Sequence, residues 1–99
     1  MATVKWTQRA RNDLQEIHEF IARDSPRAAG VLVERIIVAT ERLLGFPESG
    51  RILPEFPRLP FREIIVSSYR VLYRHDVDGI WIAAVVHGRR NLLDEMKDV

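Results

Sequence analysis

The chain is 99 residues long, 46% hydrophobic and 29% charged, with a formal net charge of +1 and no cysteine. That composition describes one soluble globular domain spanning 1–99, and it excludes a disulfide framework or a thiolate metal site. No run of 18 apolar residues offers a membrane span, and Met1 to Trp6 lacks an apolar signal segment, so a cytoplasmic protein without a membrane partner is expected. The charge is segregated. Residues 1–50 carry seven basic and seven acidic groups, whereas 51–93 carry seven basic and four acidic. All seven basic residues of that second stretch are Arg, a side chain suited to planar, multi-donor contacts with carboxylate or phosphate.

Val4 to Trp6 reads as a short strand, and Thr7 as the N-cap of a helix. Ala10, Leu14, Ile17 and Ile21 recur at helical spacing and mark one apolar stripe, ending near Arg23-Asp24. Ser25-Pro26 then supplies a new N-cap with proline at the first helical position, where its missing N–H costs nothing. Ala29, Leu32, Ile36, Ala39 and Leu43 form a second stripe, widened by Val33, Ile37 and Thr40. Gly45 is expected to close this helix at C′ before Phe46-Pro47. Residues 46–60 hold four of the five prolines and read as an ordered loop or a fragmentary edge strand.

Phe61 to Val66, Tyr69 to His75 and Ile80 to His87 are rich in β-branched and aromatic residues, as strands are. Asp78-Gly79 is a type I′ turn signal, which predicts Tyr73 opposite Ala84 and Val71 opposite Val86. A two-residue Ser67-Ser68 turn sets Val66 opposite Tyr69 and Ile64 opposite Val71. The period of two then assigns the faces. Ile64, Val66, Tyr69, Val71, Tyr73, Ile82, Ala84 and Val86 should meet the helices, with Arg62 at the end stacking on Tyr73 or bonding the proline-rich loop. Glu63, Ile65, Arg70, Leu72, Arg74, Trp81, Ala83, Val85 and His87 should form an open face. Its mixture of aliphatic and charged groups suits a face covered by a partner. The fold class is α+β: an N-terminal strand, a two-helix hairpin and a three-stranded antiparallel meander.

No histidine belongs to a set with metal-ligand spacing, and neither a nucleotide-binding motif nor a Ser/His/Asp arrangement is present, so no metal or cofactor is expected. Arg70 either pairs with Glu63 or Glu55 or serves an anionic partner. Arg74 projects the same way. His87 is either an imidazole available for proton transfer or a strand-end residue bonding the backbone. Gly88 lets Arg89 and Arg90 turn off the sheet. Trp6 and Trp81 are expected to pack rather than stack nucleobases.

The segments VKWTQRARNDLQEIHEFIARDSPRAA, RLLGFPESGR, REIIVSSYRVLYRH and IWIAAVVHGRR, taken together and in this order, resemble the RelE/ParE superfamily of toxins from type II toxin–antitoxin systems. The resemblance runs nearly the whole length. It implies a small antiparallel sheet on an N-terminal helical hairpin, and a cognate antitoxin whose C-terminal segment wraps over the toxin. RelE-like members are ribosome-dependent endonucleases that use Arg and Lys on the phosphate, with a Tyr, His or carboxylate moving protons. ParE-like members are held to act on DNA gyrase without that set.

This chain has no lysine between Lys5 and Lys97 and no tyrosine after Tyr73, whereas its PESGR loop and terminal HGRR look ParE-like. The implied function is a plasmid-stabilisation type toxin acting on gyrase, with no direct DNA binding. The alternatives are a ribosome-dependent nuclease using Arg70, Arg74 and His87, Arg70 standing where nuclease members hold a phosphate-binding arginine, or an inactive binding relative. Antitoxin or target contacts are expected at Ile65, Arg70, Leu72, Arg74, Trp81, Arg89 and Arg90.

Overall fold

Every element begins or ends where local chemistry allows it. The computed structural model describes residues 3–96. In chain order these form β1 (Thr3–Trp6), α1 (Gln8–Ala22), α2 (Pro26–Arg42), β2 (Arg51–Ile52), β3 (Arg62–Val66), β4 (Tyr69–Asp76), β5 (Gly79–His87) and a short α3 (Leu92–Glu95). Thr7 caps α1 by accepting from the Ala10 N–H at 3.1 Å, and Ser25 caps α2 in the same way through Ala28. The end of α2 departs from expectation. Its C-cap is Leu43, and Gly45 lies in the following turn without a positive φ, so the stop comes from the turn before Pro47 and not from a left-handed glycine.

The sheet has five strands in the order β1-β5-β4-β3-β2. The meander of β3, β4 and β5 is as expected; two edges are added to it. β1 runs parallel to β5, with Val4 beside Ile80 and Trp6 beside Ile82, and β2 adds two residues to β3. Val66 pairs with Tyr69 and Ile64 with Val71 around the Ser67-Ser68 turn, as the spacing predicts.

The β4–β5 register differs from the prediction. Asp76 pairs with Gly79, so the turn is centred on Val77-Asp78 and not on Asp78-Gly79. Asp76 Oδ1 accepts from the Asp78 N–H at 2.9 Å and fixes that turn. Gly79 has a different task. At φ +125° it lies against β1, where a Cβ would fall 2.3 Å from the Thr3 carbonyl oxygen.

A shift of two residues keeps Tyr73 and Ile82 on the helix face. A bulge then intervenes: Tyr73 pairs with Ile82 but Leu72 with Ala84, and the extra residue is Ala83. Beyond it the faces of β5 are exchanged. Val85 turns toward the helices, whereas Ala84 and Val86, predicted to face them, turn away. The bulge lies where β1 has left the sheet, and α1 satisfies the exposed backbone. Thr7 Oγ1 lies 3.0 and 3.1 Å from the carbonyl oxygens of Ile82 and Ala83, and Asp13 accepts from the Val85 N–H at 2.9 Å.

The result is two cores. One lies between the sheet and the helical hairpin, built on Ala10, Leu32, Ile36, Tyr73 and Ile82, with Leu14, Ile17 and Ile21 packed against it. The other lies on the opposite face, where Leu53, Phe56, Phe61, Leu92 and Met96 cover Leu72, Ala84 and Val86. That face was expected to be open. It is largely closed by the chain's own proline-rich loop and by α3.

Candidate functional site

Closing the outer face buries charge. Glu63 is 1% exposed and Arg70 7%. They pair with each other, Arg70 Nη1 and Nη2 reach Glu55 at 2.7 and 2.9 Å, and Arg51 bonds the second oxygen of Glu63. Two carboxylates and two guanidiniums thus form a chain that runs from the interior to the surface. The fork that Arg70 offers Glu55 holds the Glu55 carboxyl down at about 2. The same hydrogen bond to Glu55, followed by that to Glu63, raises the Arg70 guanidinium further above its ordinary value.

Next to this cluster, Tyr73 is fully buried. Its hydroxyl donates to the Pro47 carbonyl at 2.7 Å and accepts from the Gly50 N–H at 2.9 Å, and burial pushes its pKa up. Gly50 fits there because a Cβ would lie 2.6 Å from the Tyr73 ring and from the Glu63 carbonyl oxygen. Arg62 donates to the Gly50 carbonyl at 2.9 Å, so it binds the proline-rich loop as expected. The loop is therefore fastened at Pro47, Gly50, Arg51 and Glu55.

The expected contact residues separate into different places. Arg70 lies in the ion cluster and Leu72 is 0% exposed, so neither offers a surface to a partner. Ile65 is exposed on the part of β3 that β2 leaves unpaired. Arg74 and Trp81 are neighbours toward the hairpin tip, where the loop cover ends; Arg74 approaches Asp76 only to 3.8 Å, and Lys5 Nζ lies 5.2 Å from the Trp81 ring centre.

His87 is on the other side of the sheet, expected on the outer face but carried to the helix face by the bulge. There its ring meets the Tyr69 edge at 5.4 Å. His87 Nδ1 accepts from the Arg89 N–H at 3.2 Å, which leaves Nε2 to carry the proton in the neutral ring. The set Arg70, Arg74 and His87 is thus not assembled: the sheet separates the imidazole from both guanidiniums.

Arg89 and Arg90 line a cleft of about 800 Å³ between α1 and the exit of β5. Arg90 reaches Glu95 at 3.2 Å. In the same cleft Arg9 bridges Asp13 and Glu95, tying α1 to α3. Burial raises the Asp13 carboxyl, against the lowering effect of the Val85 N–H and of Arg9. The Arg9–Glu95 and Val85–Asp13 links join groups more than 70 residues apart, and no local pattern announces them. Among the described residues no group of three or more His, Cys, Asp or Glu could hold a metal ion, and no helix is long and apolar enough to cross a membrane.

The family model for the ParE toxin of the type II toxin–antitoxin system parDE matches residues 4–92. The chain belongs to this ParE toxin family. It is a type II toxin of the wider RelE/ParE superfamily. Toxin RelE2 of Caulobacter vibrioides is 34% identical over 91 residues, covering 91% of this chain and 99% of that protein. The putative toxin Y4kP of Sinorhizobium fredii is 44% identical over 48 residues, 48% of this chain and 50% of that protein. Among solved structures, a chain of the chromosomal ParDE toxin–antitoxin system of P. aeruginosa shares the fold at a TM-score of 0.73 and 21% identity, over 88% of this chain and 96% of that one. A chain of the RelBE2 toxin–antitoxin complex of Mycobacterium tuberculosis gives 0.60 and 26%, over 87% and 96%.

Proposed function

We propose that this family member is a non-catalytic toxin of the ParE kind, acting on DNA gyrase in the cytoplasm and neutralised by a cognate antitoxin. The observation that carries this reading is the state of Arg70. In-line cleavage of RNA needs cations on the phosphate and a base at the 2′-hydroxyl. Arg70 is saturated by Glu55 and Glu63, and His87, the one imidazole among the candidates, lies across the sheet from it. Lysines are absent between Lys5 and Lys97. The antitoxin partner is supported by the two structural neighbours, both from toxin–antitoxin systems.

A second reading, a ribosome-dependent endonuclease, is favoured by the 34% identity to Toxin RelE2. It requires the proline-rich loop to open and release Arg70 from Glu55. Induction of the protein in growing cells separates the two. Gyrase-linked DNA breaks with intact messengers are expected; messenger ends positioned by codon on ribosomes, with intact DNA, would overturn the gyrase reading.

A further inference from the structure

The outer face is closed over only part of its length. Toward the hairpin tip, beyond Leu72 and Glu63, the next row of the sheet runs Lys5, Trp81, Arg74 across β1, β5 and β4. Lys5 is the register partner of Trp81, and Arg74 is the register partner of Trp81 from the other side. The three side chains share a face, because Val4, Trp6, Tyr73, Ile80 and Ile82 on either side of them all turn to the helices. A partly exposed indole thus stands between two cations, whose backbones are about 10 Å apart across two strand spacings.

Two nearby carboxylates are already engaged. Glu55 and Glu63 are held by Arg70 and Arg51. Lys5 has no carboxylate partner among the described residues and rests over the indole instead. Among the described residues Arg74 has only the long contact to Asp76, with 46% of its side chain exposed. A sheet face that ends in two under-used cations around an aromatic ring is complementary to an anionic segment with an apolar group between its charges.

We propose that Lys5, Trp81 and Arg74 form the docking point for an acidic segment of the antitoxin, with one carboxylate at each cation and an apolar side chain against the edge of the indole that Lys5 leaves open. This rests on the reading of the chain as an antitoxin-neutralised toxin. The geometry favours carboxylates over nucleobases. Lys5 Nζ occupies the ring face on which a base would stack, whereas a carboxylate can bind Lys5 where it lies. Leu72 and Arg70 take no part, because the chain's own loop covers them.

The test uses the full chain and, as probe, the purified product of the reading frame adjoining its gene. Trp6→Phe leaves Trp81 as the only indole, so its emission should shift on titration with that protein. Lys5→Glu and Arg74→Glu should each weaken binding about tenfold and together about 100-fold, with a shallower dependence on salt. Arg27→Glu, an equal charge change on α2, should stay within about twofold of wild type. Thermal unfolding of each variant checks that the fold is retained.

Equal affinity of the double variant and wild type would overturn the docking point and leave the antitoxin reading standing, as would an unmoved Trp81 emission during saturable binding. A wild-type chain that fails to bind the probe would overturn the antitoxin reading itself, and the docking point with it. Binding of a 20-nucleotide single strand that is lost in the double variant, while the protein probe binds both alike, would assign the row to nucleic acid and overturn the proposal.

Discussion

The two faces of the sheet are closed by different physics. On the helix face the cover is the hairpin of α1 and α2, and the buried groups are almost wholly apolar: Ile36, Val71, Ile80 and Ile82 are each at or below 1% exposure. On the outer face the cover is a loop with little regular structure, and under its rim lies a chain of four charges in which Glu63 is 1% exposed. Burial of apolar area stabilises the first face without regard to exact geometry. The second depends on every charge keeping its partner, since an unpaired buried ion costs far more than a paired one. A toxin built this way has one rigid half, and another whose cover can be loosened by removing single hydrogen-bonding groups.

The largest contrast should come from breaking the ion cluster in two ways. Glu63→Ala leaves Arg70 buried beside Glu55 alone, and should cost about 3–5 kcal/mol in urea unfolding. Replacing both members, Glu63→Met with Arg70→Met, removes the buried charges together and should cost clearly less than the single change. Equality of the two would mean that the outer face is held by the packing of Leu53, Leu72 and Leu92 and not by its charges. On the helix face, Ile36→Ala opens a cavity at the centre of the hairpin core and should cost about 3 kcal/mol, independent of salt and of pH between 4 and 8.

A smaller effect probes how the loop is fastened. Tyr73→Phe keeps the ring in the helix-side core but removes the hydroxyl from Pro47 and Gly50. About 1–2 kcal/mol should be lost, with the amides of the 47–55 segment exchanging faster than those of α1 and α2. Equal acceleration throughout would show that the loop does not open separately.

Legibility in the sequence follows the same division. The stripes of α1 and α2, both N-caps, the Ser67-Ser68 turn and the α+β class could be read because each rests on periodicity or on one residue's local chemistry. The bulge at Ala83 could not. It is a property of where β1 leaves β5 and of Thr7 and Asp13 reaching across, and it alone moves His87 away from Arg70. Gly79 misled for a related reason: an Asp-Gly pair signals a turn, but this glycine serves the close approach of Thr3. The cover of the outer face was equally hidden, because residues 46–60 lack a period from which to place Leu53 or Glu55. What was legible there was pairwise charge: Glu63 and Glu55 were both foreseen as partners for Arg70. Ile65, Arg74, Trp81, Arg89 and Arg90 remain accessible from the expected contact set, and Lys5 joins Arg74 and Trp81 only once the parallel pairing of β1 is known.

The smallest effect sharpens the comparison through pH. Glu55 holds the outer end of the ion chain with 38% of its side chain exposed, so solvent screens much of its interaction and Glu55→Gln should cost less than about 1 kcal/mol at pH 7. Its folded pKa, about 2, is below the ordinary 4.5, because Arg70 donates to its ionised form. A depressed carboxyl contributes stability that is fully present above the ordinary pKa and is lost as pH falls toward the folded value. Wild type should therefore lose an increment of stability between about pH 4.5 and 2 that Glu55→Gln does not lose, and the two unfolding curves should converge at the acid end. Burial acts on Asp13 in the opposite direction: its raised carboxyl gains relative stability as pH falls toward its ordinary value of 3.8. The difference curve between wild type and Glu55→Gln cancels that contribution, since Asp13 is present in both. A flat difference from pH 7 to 2 would mean that Arg70 is held by Glu63 alone, and that the loop closes the outer face by apolar contact, as the helices close the other.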